Sequence, residues 1–356
     1  MHYERDNIQQ MSGYTPGEQP DAAGIIKLNT NENPWPPSAA VMAALQQQSA
    51  ESLRRYPSPS AAAFLAQAAK HHHIDRSQVV ATNGGDELLR LAITTFVPPG
   101  RPIGIAEPSY SLYPVLAAIH DSPVEAIELD ADWQLPDDFA ERLNAAGVAL
   151  TLLVNPHAPS GQLMDTNQIS ALADRLNGVL VVDEAYVDFV DPGHDVVSLI
   201  HQHDNLLILR TLSKGYSLAG LRLGYGIGCA SLIAPIAEKT RDSYNVDAIA
   251  DALGAAALAD QTSAQQSWQA VRDERERLTQ ALRLRGFSVL SSQTNFCLAY
   301  APSTGPNAAA LYAGLKARDI LVRHFATPRL EGAIRISVGT PAQTERLLAA
   351  LDALLG

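Results

Sequence analysis

The feature that most restricts the fold is a set of short apolar runs set between longer segments rich in Ala, Leu and Gln. The runs fall at residues 79–82, 103–106, 150–154, 179–182, 206–209 and 223–227. A strand with one wet face alternates apolar and polar side chains. These runs are continuous instead, which suits strands covered on both faces. The segments between them have helical character, and strands alternating with helices build a mostly parallel sheet flanked by helices. The predicted fold class is therefore α/β.

After about residue 270 the pattern changes. The charged stretch "VRDERERLTQALRLRG" predicts a helix, and "FSVL", "NFCLAY", "ILVRHF" and "AIRISVG" predict strands of a smaller α+β domain with an antiparallel sheet. A length of 356 residues suits two domains. The organisation expected is a large domain over 36–270 and a small C-terminal domain over 271–356. Residues 1–35 are expected to contribute to the small domain and to cover the active site.

Composition removes several function classes. A formal net charge of −12 with no Lys/Arg block repels a phosphate backbone, so nucleic acid is not an expected partner. No apolar run approaches the ~20 residues that span a bilayer, which argues against a membrane protein. The opening "MHYERDNIQQMSGY" lacks the basic-then-apolar order of a secretory signal, and Cys229 and Cys297 alone make no disulfide framework. A cytoplasmic location is expected.

The candidate chemistry gathers where the strands end, the place where open α/β sheets bind ligands. One strand finishes on Asp183 and the next on Lys214, one of only five lysines. An ammonium group at the end of a buried strand is costly unless a partner or a covalent bond accounts for it. Two readings follow. The residues form a plain ion pair, or they serve pyridoxal phosphate, which needs a lysine for covalent attachment and an acid to hold a proton on its pyridine nitrogen.

Other strand ends carry further candidates. "ATNGGDELL" places Gly84, Gly85 and Asp86 at the start of a helix, as a phosphate site or an ordinary capped terminus. Ser213 and Arg222 supply a hydroxyl and a guanidinium for the same phosphate, although Arg222 also reads as a surface arginine. Tyr110 is placed to stack on a flat ring or to pack. Asn155 and Tyr186 offer hydrogen bonds to a cofactor's phenolic oxygen. The tract His71–His73 reads as a solvated helix end rather than a metal site, because it follows a helical stretch that ends in Lys70.

The blocks "GYTPGEQP", "LNTNENPWPPS", "LRRYPSP", "TNGGDELL", "NPHAPSG", "VVDEAY", "TLSKGYSLAGLRLGYGIG", "RDSYNVD", "ILVRHF" and "IRISVGT" follow one another along nearly the whole chain. Through them the sequence resembles the fold-type I pyridoxal-phosphate aminotransferases, and among these the histidinol-phosphate aminotransferases. The resemblance implies pyridoxal 5'-phosphate as cofactor, an amino donor and a 2-oxo acid acceptor as substrates, and a homodimer with shared active sites. It implies that Lys214 carries the cofactor and shuttles the substrate proton, that Asp183 pairs with the pyridine nitrogen, and that Ala185 and Tyr110 lie on opposite ring faces. Asn155 and Tyr186 would contact the phenolic oxygen, and Ser213, Arg222 and the amides of Gly84, Gly85 and Asp86 the phosphate. Tyr56 would reach into the partner's site.

For the substrate, the resemblance implies Arg335, with Arg323 as a second contact or a structural arginine and Tyr14 as part of the cover. The pattern of "AIRISVG" supports Arg335 separately, since Ile334, Ile336 and Val338 alternate onto one face and leave the arginine on the other. The expected reaction is transamination of L-histidinol phosphate with 2-oxoglutarate. Alternatives are an aromatic amino-acid transaminase, a phosphorylated amino-acid decarboxylase of the same fold, or a cofactor-binding protein without catalysis. One block departs from the resemblance: in "NPHAPSG", His157 and Ala158 stand where the family commonly has an asparagine pair.

Overall fold

The computed structural model describes residues 3–20, 24–194 and 196–356. Its central element is a seven-stranded sheet in the order Val79–Thr82, Gly224–Gly228, Leu206–Thr211, Val179–Asp183, Leu150–Val154, Ile103–Glu107, Val124–Glu128. Neighbours are parallel except at Gly224–Gly228, which runs antiparallel to both of its partners.

Burial explains why the central strands read as continuous apolar runs. Leu180, Val182, Leu206 and Ile208 enter a core on one face of the sheet, and Val181, Leu207 and Leu209 enter a second core on the other. Each fully buried aliphatic side chain contributes roughly 1.5–3 kcal/mol, so these positions exclude polar groups. Polar side chains are left for the strand ends. The edge strand Val124–Glu128 escaped the reading for the same reason: of its five residues only Ile127 is buried.

Gly224 shows how closely the helix Gly84–Phe96 approaches the sheet. A Cβ at Gly224 would lie 2.8 Å from the carbonyl carbon of Gly84, a contact that backbone cannot relieve. The helix start is thereby held against the sheet edge.

A second sheet is antiparallel, in the order Arg323–His324, Ala333–Ser337, Phe296–Tyr300, Ser288–Val289. The run "ILVRHF" is divided. Ile320–Leu321 pairs in parallel with Ile26–Lys27 of the N-terminal segment, and only Arg323–His324 joins the antiparallel sheet. The charged stretch after residue 270 is the second half of one 24-residue helix, Gln261–Leu284, which passes through that position without a break. The end of the His71–His73 tract is solvated at His73 alone; His71 and His72 are half-buried, and the His72 Nε2 lies 2.9 Å from the Tyr225 hydroxyl. No helix among the described residues is long and apolar enough to cross a membrane.

Candidate active site

Parallel register brings the functional strand ends together. Val154 is opposite Asp183, and Asp183 is opposite Leu209, so Asn155, Asp183 and the chain leading to Lys214 leave the sheet along one edge.

At this edge the helix Gly84–Phe96 begins without a side-chain cap, which leaves its first backbone amides free to face a ligand. Arg222 reaches over them. Its Nη1 donates to the Ser213 Oγ at 3.3 Å, and its Nη2 lies 3.5 Å from the Asp86 carboxylate. Gly84 adopts a φ of +76°, and a Cβ there would also press on Arg222 Nη2 at 2.6 Å, so the cradle favours glycine. The Thr211 hydroxyl also donates to Ser213 Oγ, at 2.9 Å. With two donors aimed at it, Ser213 keeps its own proton for an anion. Guanidinium, hydroxyl and helix terminus together make an anion cradle.

Asp183 is buried and Lys214 half-buried, and they do not pair with each other: among the described residues neither makes an ion pair. That removes the plain ion-pair reading. Asp183 accepts hydrogen bonds from the Tyr113 hydroxyl at 2.9 Å and the Ala185 N–H at 3.1 Å. Burial nevertheless pushes its carboxyl up to about 6, since no cation offsets the lost water. Lys214 Nζ donates to the Thr30 carbonyl at 2.9 Å. Burial, with the Arg335 charge adding to it, holds the amine down to about 8. The site therefore contains a buried carboxylate without a cation and a half-buried amine poised to lose its proton.

The small sheet supplies a second anion station. Arg323 and Arg335 are direct partners across antiparallel strands, an arrangement in which like charges repel. Neither forms an ion pair with a carboxylate among the described residues. Arg335 Nη2 donates to the Asn29 carbonyl at 3.2 Å, while its buried Nε has no partner. Its guanidinium lies 5.1 Å from the Phe296 ring and 5.4 Å from the Phe325 ring, and Arg323 lies 5.4 Å from Phe325 as well. Ile334, Ile336 and Val338 are buried on the opposite face, as the alternation predicts.

The remaining candidates are distributed around this frame. Tyr110 stands edge-on to Tyr113 at 5.5 Å and to Tyr14 at 5.9 Å, with its hydroxyl 3.5 Å from Asp86. Tyr186 receives a hydrogen bond from Asn31 at 3.0 Å, and Lys214 Nζ lies 5.8 Å from its ring. Ala185 is half-buried beside Asp183. The Asn155 carboxamide is engaged at both ends by the Met164 backbone, at 2.8 and 3.0 Å, which leaves one N–H for a ligand. Tyr56 is not brought to this chain's own cluster. It is 84% exposed and stacks on Tyr244.

Several participants were missed in the sequence. Tyr113, which holds Asp183, reads as a core residue of a helix. Asn29, Thr30 and Asn31 bind Arg335, Lys214 and Tyr186 in turn; the block "LNTNENP" was the available signal, but two of these contacts are made by backbone carbonyls. His157, the departure in "NPHAPSG", is buried and structural. Its Nε2 lies 2.9 Å from the Pro108 carbonyl, which can only accept, so Nδ1 receives the Ser160 hydroxyl at 2.8 Å. Burial holds this imidazole down to about 4, in its neutral form.

Comparison with known proteins agrees with this geometry. The sequence model of aminotransferase class I and II matches residues 23–351. The chain is 41% identical over 354 residues to the histidinol-phosphate aminotransferase of Microcystis aeruginosa, covering 99% of this chain and 98% of that one. It is 41% identical over 351 residues to that of Geobacter sp., covering 98% of each. Among solved structures, histidinol-phosphate aminotransferase from Sinorhizobium meliloti in complex with pyridoxal-5'-phosphate has the same fold, with a TM-score of 0.91 at 24% identity and coverage of 100% and 98%. An anion cradle at a helix start, an Asp and a Lys with no ion-pair partners, and a full-length match at this identity lead to one placement: the chain belongs to the class I and II aminotransferase family, in its histidinol-phosphate aminotransferase branch.

Proposed function

We propose that the chain transfers the amino group of L-histidinol phosphate to 2-oxoglutarate, forming imidazole acetol phosphate and L-glutamate, with pyridoxal 5'-phosphate as its cofactor. The observation that carries the substrate is the Arg323–Arg335 pair, two facing guanidinia with no carboxylate partner. The donor brings a phosphate ester and the acceptor brings carboxylates, and a guanidinium fork binds either.

The residues fit the cofactor in charge and place. Bound there, pyridoxal phosphate supplies the electron sink for the reaction. The cradle of Arg222, Ser213 and the Gly84, Gly85 and Asp86 amides would take its phosphate. Asp183, held by Tyr113 and Ala185, would find in the protonated ring nitrogen the cation it lacks within the chain. Tyr110 and Ala185 would contact the ring, and Tyr186 with the free N–H of Asn155 would serve the phenolic oxygen. Lys214 would anchor the group and move the proton at the substrate Cα. The Thr30 carbonyl aims its Nζ. Incubation with donor and 2-oxoglutarate should yield glutamate in proportion to donor consumed, without carbon dioxide. Carbon dioxide released in step with donor loss would place the protein among the decarboxylases.

We also propose a cytoplasmic homodimer, with residues 1–35 covering the site, 36–270 binding the cofactor and 271–356 forming the small domain. The pairing of Ile26–Lys27 with Ile320–Leu321 and the contact of Tyr14 with Tyr110 support the role of the N-terminal segment. The exposed Tyr56–Tyr244 stack supports a shared site, since a tyrosine so open to solvent is positioned to serve another chain. Mixing inactive Lys214→Ala chains with inactive Tyr56→Ala chains should restore activity, because one site of each mixed dimer is then complete. No recovery after verified subunit exchange would show that the sites are independent.

A further inference from the structure

The strands that carry Arg323 and Arg335 are joined by residues 325–332, whose tip rests on the large sheet through two side chains. Leu330 is buried in the core on one face of that sheet. Arg329 makes a more directional contact. Its guanidinium lies 3.9 Å from the centre of the Trp133 ring, its Nη1 donates to the Leu129 carbonyl at 2.6 Å, and its Nη2 donates to the Asp130 carbonyl. The flat cation is thus stacked on an indole and pinned at both nitrogens just beyond the edge strand Val124–Glu128.

Trp133 is itself rigidly held. It is 6% exposed, in a turn where the Asp130 carboxylate accepts from the Asp132 and Gln134 amides at 2.9 and 2.8 Å. Its ring lies 5.8 Å from the ring of His157, and Gln134 donates to Gln162 at 2.9 Å. His157 is fixed between Pro108 and Ser160, within the loop that follows Asn155. A continuous series of contacts therefore runs from the sheet edge, through His157 and Trp133, to the hairpin that bears both arginines. The hairpin needs such a tie, because Arg323 and Arg335 repel each other and a displacement of about 1 Å at a binding group is enough to cost a large part of the rate.

We propose that Arg329 is a positioning residue for the anion station: by clamping the hairpin to Trp133 it sets the distance from Arg323 and Arg335 to Lys214. It thereby selects donors whose anionic group and amine are separated by that span. The selectivity part rests on the substrate reading above; the clamp does not.

The test uses the holoenzyme and the variants Arg329→Gln and Arg329→Lys. In the donor half-reaction, followed without 2-oxoglutarate so that the acceptor's carboxylates do not enter, Arg329→Gln should raise the half-saturating concentration of histidinol phosphate roughly tenfold with the limiting rate nearly unchanged, and for histidinol, which lacks the phosphate, it should change neither. Arg329→Lys should recover little, since an ammonium group cannot stack and fork as a guanidinium does. Hydrogen exchange in residues 325–332 should quicken in Arg329→Gln while the strand Leu206–Thr211 keeps its protection. An equal fall for both donors, or full recovery with lysine, would overturn the positioning role. Unchanged exchange in 325–332 would overturn the clamp. If the wild-type enzyme does not prefer the phosphorylated donor, the substrate reading fails, and the exchange measurement still decides whether Arg329 holds the hairpin.

Discussion

Lys214→Ala is expected to abolish turnover, by a factor on the order of 10⁴ or more, and to leave the fold intact. Burial holds the amine down to about 8, so roughly a tenth of it is neutral at pH 7. No other lysine approaches these contacts: Lys214 Nζ is the one bonded to the Thr30 carbonyl and lying over the Tyr186 ring. Alanine removes both the proposed attachment point and the proposed base for the substrate proton. It also removes a half-buried ammonium that has no carboxylate partner, so stability should not fall. Steady-state assay and thermal unfolding of the purified variant check both halves. Near-normal turnover would show that Lys214 is not catalytic, and unfolding would show that it is structural.

How much of this was legible in the sequence follows from where each signal resides. The central strands could be read because burial on both faces writes an apolar residue at every position. The edge strand Val124–Glu128 could not, because an edge carries polar side chains. Arg335 stood out as a charge set among alternating buried residues. Its opposition to Arg323 did not, since register between distant strands is a property of the folded sheet. Asp183 and Lys214 were visible as charges at strand ends, yet their separation from one another, which excludes the ion pair, is a matter of distance alone. Tyr113 was hidden by its resemblance to core, and Thr30 by acting through its backbone. The division of "ILVRHF" between two sheets arose because the N-terminal strand Ile26–Lys27 claims its first residues, a partner almost the whole chain away. His157 was visible as a departure, but that its ring packs beside Trp133 required the structure.

The second large effect concerns the substrate phosphate. Arg335 is half-buried, its Nε is buried without a partner, and it faces Arg323 across the strand pair. Two half-buried guanidinia without a carboxylate have little reason to coexist unless a ligand supplies negative charge. Charge-assisted hydrogen bonds contribute about 1.5–3 kcal/mol each, so a donor without its phosphate should lose about 10²- to 10³-fold in kcat/KM. Arg335→Ala should bring the phosphorylated donor down towards the same level and leave the unphosphorylated one almost unaffected. An aromatic amino-acid transaminase would behave otherwise, because its donor carries a carboxylate directly on the Cα that in histidinol phosphate bears the longer, dianionic phosphate ester. The most direct measurement is therefore kcat/KM of the wild-type holoenzyme for histidinol phosphate, histidinol and phenylalanine, each with 2-oxoglutarate. A preference for histidinol phosphate of about 10²-fold or more over both others is the predicted result, and phenylalanine equal to or better than histidinol phosphate would contradict it.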